Sequence, residues 1–388
     1  MTTASFLRRL LRRSPPAPEQ KGKDPLVCRP PFLPRASVVC TCLRRRGPPL
    51  LGFFIDHVGD SITFEPAPGA PYRLPRGLFS LELDGCYMTL GWRHGLGLFF
   101  HKIRFEVLVW DPVAGHQHLL AVPPDFEFQG AKGDISGAVL RAAGDVGHFR
   151  VVLVGSNGKQ PRTGLACVYS SETGVWGDCV STPLPSEGLF IFRSNPAVLA
   201  GDCLHWSLTM AGSRSILKFD LNRKSLDLRL LPGDYYTPLS PVKFAVMRAE
   251  GGEMGFLFLY GFIAQLWSLK PYRDGVEIWT PGRSIELDKL LGLNPEKDPP
   301  QVIGYAEENN VVFFWTVVGV FMVHLESWRF NKLSKTSIHS WYHPFEIAYT
   351  PGIAGGHDGA KVVTCEPLVD DTMGTTTHKT IVQLDMLL

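Results

Sequence analysis

From Leu50 onward the apolar positions come in runs of four to seven residues, rich in Val, Phe, Leu and Trp and interrupted by Gly, Pro, Asp and Asn. Runs of that length bounded by turn-forming residues predict strands, because β-branched and aromatic side chains fit a half-buried pleated surface. Gly52–Ile55, Leu96–His101, Phe149–Val154, Gly255–Tyr260 and Val311–Thr316 are the clearest examples. Spacing of the helical kind is nearly absent, and only Ile285–Leu291 has the pattern for a turn or two of helix. The expectation is an all-β body.

A hairpin recurs within this pattern. An apolar strand ends on an aromatic, an acidic turn follows, and a second strand runs into proline: Val109-Trp110-Asp111-Pro112-Val113-Ala114-Gly115 leads to Pro123-Pro124, Tyr169 to Gly174 leads to Pro183, and Phe219-Asp220 leads to Pro232. Turns of this type fall near Phe64, Trp110, Tyr169, Phe219, Trp267, His324 and Cys365, at intervals of 46, 59, 50, 48, 57 and 41 residues. A hairpin that cannot bury its own face must stack on copies of itself, and a period near fifty is that of kelch-like propeller blades. The fold class expected is therefore an all-β, kelch-like β-propeller of about seven blades, with six or eight as alternatives, preceded by a short helical or disordered extension. A β-sandwich would supply short strands without the regular period.

Charge divides the chain in the same place. Residues 1–50 carry eleven Arg and Lys against Glu19 and Asp24, a balance of +9, while the remainder holds 28 basic and 35 acidic residues, a balance of −7. Two pieces follow: a basic, Pro-rich segment over residues 1–49 and a β-rich domain over 50–388. Within the first, Phe6–Arg13 and Pro34–Arg45 have helical spacing. Its start is Arg-rich and acid-free, which suits an organelle presequence as the alternative to a cytoplasmic or nuclear location. No apolar run reaches the length of a membrane span, and the eight scattered cysteines show no Cys-x-x-Cys spacing, so reduced thiols packed as small hydrophobes are expected.

The glycine-rich stretches fall short of catalytic signatures. Gly155–Gln160 lacks the spacing and the Ser/Thr of a phosphate loop, Gly133–Gly137 has its serine one place late for a nucleophile elbow, and Gly95-Leu96-Gly97 has no third glycine. His94, His101, His116 and His118 are the densest histidines, and His116 with His118 would share one strand face, but surface histidines flanking a turn explain them more simply than a metal does. The nine tryptophans are expected between blades, and Asp111, Asp220 and Glu326 within their own turns. No catalytic residue, cofactor or metal is assigned. The basic segment has no nucleic-acid-binding signature behind it.

Two stretches resemble a known family. Phe32-Leu-Pro-Arg-Ala-Ser-Val-Val-Cys40-Thr-Cys-Leu-Arg-Arg resembles the C-terminal half of a plant F-box, and Pro48 to Phe54, Phe99-Phe100 and Val109 to Pro112 look like the F-box-associated propeller region of the large grass F-box-like families. The resemblance spans nearly the whole chain. It implies a substrate receptor of a Skp–cullin–F-box ubiquitin ligase, with an F-box remnant over about residues 32–46 and Leu33, Pro34, Ala36, Val38, Val39, Cys40 and Leu43 as candidate adaptor contacts. The first half of the F-box departs from the pattern: Pro15, Pro16 and Pro18 interrupt the place where helix should continue. Binding to a Skp-type adaptor and cullin is therefore expected to be weak or absent. The leading reading is a monomeric, non-catalytic protein-binding module whose target the sequence does not name. The alternatives are a propeller-fold enzyme, sugar-active or oxidase-like, and a decayed family copy with no ligase role.

Overall fold

The computed structural model describes residues 48–347 except 58–60, 71–73, 127–134, 142–146, 158–162, 185–188, 192–195, 211–212, 232–242, 274–275 and 334–339. The proposed adaptor contacts Leu33, Pro34, Ala36, Val38, Val39, Cys40 and Leu43 lie outside the described residues, as do the two expected N-terminal helices and the turn at Cys365.

Six antiparallel sheets form a six-bladed β-propeller. In chain order, the first sheet receives β1 (Leu50–Asp56), β2 (Ser61–Pro66) and β3 (Ser80–Glu82), and the second β4 (Tyr87–Arg93), β5 (Leu96–His101), β6 (Glu106–Asp111) and β7 (His116–Ala121). The third holds β8 (Ser136–Leu140), β9 (Arg150–Asn157) and β10 (Thr163–Ser170), with its outer strand split into β11 (Val175–Trp176) and β12 (Val180–Pro183). In the fourth the inner strand is split into β13 (Leu189–Ile191) and β14 (Val198–Ala200), followed by β15 (Cys203–Met210), β16 (Ser213–Asp220) and β17 (Ser225–Leu230). The fifth comprises β18 (Lys243–Arg248), β19 (Met254–Tyr260), β20 (Ile263–Pro271) and β21 (Glu277–Glu286); a short helix α1 (Leu287–Leu291) leads to the sixth, β22 (Gln301–Ala306), β23 (Val311–Thr316), β24 (Gly319–His324) and β25 (Phe330–Lys332).

The last strand, β26 (Trp341–Glu346), completes the first blade by pairing with β1, from Leu50 opposite Glu346 to Asp56 opposite Trp341. The ring is thus closed by hydrogen bonds between strands from opposite ends of the described chain. Six hydrophobic clusters lie between the blades, one per junction, including the one where Phe53 of β1 meets Phe313 of β23 across the closure. All nine tryptophans belong to these clusters or pack against them, with Trp110 and Trp206 fully buried. At the closure β22 and β26 approach so closely that a Cβ on Gly304 would run into the backbone of Tyr342, so glycine is needed there.

The predicted strands Gly52–Ile55, Leu96–His101, Phe149–Val154, Gly255–Tyr260 and Val311–Thr316 fall in β1, β5, β9, β19 and β23, each the second strand of its blade. That strand is covered on both sides by neighbouring sheets, so it reads as an uninterrupted apolar run. The hairpin aromatics Phe64, Trp110, Tyr169, Phe219, Trp267 and His324 each lie on the third strand of one blade, and the period is the blade period. The expectation of seven blades is corrected to six. The kelch-like type gains no support, because a period near fifty suits four-stranded blades of any kind.

Candidate functional site at one mouth of the channel

The innermost strands run in one sense around the channel, so their ends gather at one mouth, called here the latched face. Arg93 ends β4, Arg248 ends β18, Glu346 ends β26, and Glu307 and Glu308 follow β22. Arg93 grips Glu307 with two hydrogen bonds of 2.7 Å, from Nε to Oε1 and from Nη2 to Oε2, and Nη2 also donates to the Ala197 carbonyl at 2.7 Å. Glu307 Oε2 accepts from the Leu199 amide at 3.0 Å. Arg248 donates from Nε to the Leu199 carbonyl at 2.6 Å and from Nη2 to Glu308 Oε1 at 2.8 Å. Glu346 accepts from the Asn309 amide at 2.9 Å and side chain at 2.7 Å, and Asn309 Nδ2 also donates to the Pro48 carbonyl. Blades one, two, four, five and six are thereby tied together across the channel.

Burial would raise the Glu307 carboxyl, but the guanidiniums of Arg93 and Arg248 and the Leu199 amide outweigh it and hold the group below its usual range. Glu346 goes the other way. Burial, helped by the nearby charges of Glu307 and Glu308, lifts it to about 7 against the pull of its Asn309 and Glu308 hydrogen bonds. Tyr305, which accepts from the Arg248 amide at 3.1 Å, is pushed up, chiefly by burial. His94 beside the network is lowered to about 4 by burial and by Arg93, and its Nδ1 accepts from the Arg141 amide at 3.0 Å.

Behind these groups the channel narrows to a recess lined by Trp92, Arg93, Tyr305, Glu307, His343 and Glu346 among others, with room for roughly two water molecules. Trp92 Nε1 and His343 Nε2 are buried there without a hydrogen-bond partner, which suits channel water. Among the described residues, Glu307, Glu308 and Glu346 are each already held by an arginine, an amide or Asn309. The arrangement joins blades and stoppers the channel.

The residues singled out from the sequence are dispersed. Asp111 Oδ1 accepts from the amides of Val113 and Ala114, and Asp220 Oδ1 from those of Asn222 and Arg223, which is the local turn role expected of them. Asp111 also does what sequence reasoning missed: its Oδ2 takes Arg141 Nη2 of the next blade at 2.9 Å in a buried ion pair. His116 and His118 share one face of the exposed outer strand β7, their ring centroids 6.4 Å apart. His101 is apart from both. It joins Asp84 and Cys86, and the three offer ligand atoms within 4.8 Å of one another. The donor types suit a divalent metal, but the hydrogen bonds do not. His101 Nδ1 accepts the Arg104 amide at 2.9 Å, so the ring proton sits on Nε2, facing Asp84 Oδ2 at 3.0 Å. A metal on Nε2 would force that proton onto Nδ1, against an N–H. The trio is a structural anchor.

One expectation on the cysteines is corrected: Cys167 of β10 is bonded to Cys179 between β11 and β12, with Cα atoms 4.5 Å apart, pinning the split outer strand of the third blade. Cys86 and Cys203 are free thiols.

No protein-family model matches the chain, and no curated protein does. Solved structures do. The WD40 domain of SCAP from fission yeast is 12% identical with a TM-score of 0.35, over 67% of this chain and 56% of that one. A protein of unknown function from Bacteroides caccae is 12% identical with a TM-score of 0.41, over 77% and 99%. A Lactobacillus plantarum protein is 11% identical with a TM-score of 0.40, over 75% and 81%. The chain thus spans little more than half the length of the first. The propeller assignment rests on the chain's own sheet order and closure. Among the described residues no helix is long and apolar enough to cross a membrane.

Proposed function

We propose that this chain is a non-catalytic protein-binding module that takes its partner on the face opposite the latch. The observation carrying this reading is the contrast between the two ends of the channel. At the latched face Arg93, Arg248, Glu307, Glu308 and Glu346 are spent on one another and on neighbouring amides. At the other, the loop face, the turns between second and third strands expose Ile103 and Phe105 on blade two, Tyr260 and Ile263 on blade five, and Val317 and Val318 on blade six. Exposed apolar loop tips on a rigid scaffold are the usual makings of a partner site. Exposed Val113, Val175, Tyr272 and Val276 on the latched side sit on outer-rim hairpins, away from the channel.

The family resemblance suggests the form of the role: a substrate receptor of a Skp–cullin–F-box ubiquitin ligase, with residues 32–46 as the adaptor-facing element. Pro48 and Glu346 both lie at the latched face, so the basic segment joins the propeller on the side away from the proposed partner face. That separation suits a receptor.

The test is affinity isolation from native tissue with mass spectrometry, comparing the full chain with a Tyr260→Asp/Val317→Asp double variant. A partner set lost in the variant supports the module, and co-recovery of a cullin with its adaptor supports the ligase form. An identical partner set from both would remove the reading. Purified adaptor is expected to bind weakly, so submicromolar affinity would overturn that part.

A further inference from the structure

Blade two departs from blades five and six in its loop-face turn. The latter use two-residue turns, at Gly261-Phe262 and Val317-Val318, whereas β5 and β6 are joined by Lys102-Ile103-Arg104-Phe105. All four side chains are exposed, and Ile103, at 75%, is the most exposed large apolar side chain among the described residues. A loop with such a tip would ordinarily be loose, and this one is fastened at each end. The Phe105 amide donates to the His101 carbonyl at 3.0 Å, the Lys102 amide to the Cys86 carbonyl at 3.1 Å, and the Val122 amide to the Phe105 carbonyl at 3.2 Å.

His101 is the anchor. It is 2% exposed, accepts the Arg104 amide on Nδ1, and donates from Nε2 to Asp84, whose Oδ1 in turn accepts the Cys86 amide at 3.0 Å. The left-handed turn position taken elsewhere by Gly115, Gly174, Lys224, Asn310 and Trp328 is here Phe105, with φ 53°. The ring stays against Phe100, 5.6 Å between centroids, so the tip projects Ile103 with a cation on either side.

We propose that this turn is the anchor of the partner site, inserting Ile103 into an apolar pocket or against an apolar side chain of an acidic protein segment, with Lys102 and Arg104 pairing to its carboxylates. The inference rests on the binding-module reading and names the partner's chemistry. Charge complementarity selects the occupant. Lys102 and Arg104 attract acid, while Asp84, exposed and 3.6 Å from Arg104 Nη2, would repel a broad anionic surface such as a lipid headgroup layer and leave room for a narrow segment. Preorganisation of the turn lowers the ordering cost of binding.

The probe is a display library of short peptides rich in Asp and Glu, each with one Leu, Phe or Trp, selected against the full chain. Selected peptides are expected to lose about tenfold or more in affinity for Ile103→Asp, and a smaller factor, itself salt-dependent, for Lys102→Glu or Arg104→Glu. Replacing the peptide's apolar residue by Ser should reproduce the Ile103 loss. Because Ile103 is solvent-exposed, the variant keeps the wild-type Tm, which separates binding from folding. Peptides that bind Ile103→Asp as well as wild type, or no selected peptide at all, overturn the proposal. So does Ile103-dependent capture of phosphatidylserine vesicles without peptide binding, which would make the turn a membrane contact. If Tyr260→Asp/Val317→Asp abolishes the tissue partners while Ile103→Asp does not, the anchor is wrong and the module reading stands; if neither changes them, both fall.

Discussion

The two mouths of this propeller are built from the same six blades and use opposite chemistry. At the latched face, charged side chains from four blades converge with backbone groups of a fifth in a buried network; at the loop face, the described turns of blades two, five and six carry apolar side chains left in water. The difference follows from position. Inner-strand ends crowd at the channel, where a charge must find a partner or remain costly to bury, while loop tips reach solvent and are free to carry what a partner needs. One mouth holds the ring together and the other meets the outside.

The comparison breaks first at Arg93. Replacing it by Ala leaves Glu307 buried with one of its two cations gone, and a loss of about 3–5 kcal/mol is expected in denaturant unfolding; a loss under about 1 kcal/mol would mean that the network fastens nothing. Next comes reduction of Cys167–Cys179, which frees the outer strand of blade three. For a loop of 12 residues the chain-entropy argument gives about 3 kcal/mol, read as a lower Tm in dithiothreitol that a Cys179→Ser variant should share without reductant.

The third test uses pH. Glu346 is raised from 4.5 unfolded to about 7 folded, so its stabilisation is complete below the unfolded value and is lost as pH rises through about 7. That amounts to at most about 3–4 kcal/mol. His94 and His205, both lowered to about 4, act in the opposite sense: their contribution is present above 6.5 and is lost as pH falls. Glu346→Gln isolates the acid. The wild type should weaken relative to the variant between pH 5 and 8, and parallel curves would show that Glu346 is already ionised. The smallest effect belongs to the loop face. Ile103→Asp and Val317→Asp should each change stability by less than about 0.5 kcal/mol, and a large loss at either would show that these side chains serve the fold.

Much of the architecture is legible in the chain. The fully buried second strands appear as plain apolar runs, the third strands carry the aromatic hairpins, and α1 falls within the one stretch of the β-rich domain with helical spacing. Blade number is not legible, because the first blade borrows its inner strand from β26, and a count of hairpins cannot show where the ring closes. The latch was missed for a related reason. Arg93, Arg248, Glu307 and Glu346 stand in sequence as single charges after apolar strands, unremarkable one by one; an isolated charge at the end of an inner strand was the available sign, but inner strands are recognisable only once blades are assigned. His101 shows the same limit. Sequence grouped it with His94, His116 and His118 by proximity, whereas the β4–β5 pairing sets it beside Asp84 and Cys86.

What the sequence by itself determined is the local content: strands, turns, their period near fifty, and tryptophans destined for the spaces between sheets, because burial on two faces and turn chemistry are written in adjacent residues. What only the tertiary structure decided is the closure into six blades, the charge network and the aim of the exposed turns. Those depend on strand ends far apart in the chain meeting around one axis, where partners are chosen by geometry that no single segment contains.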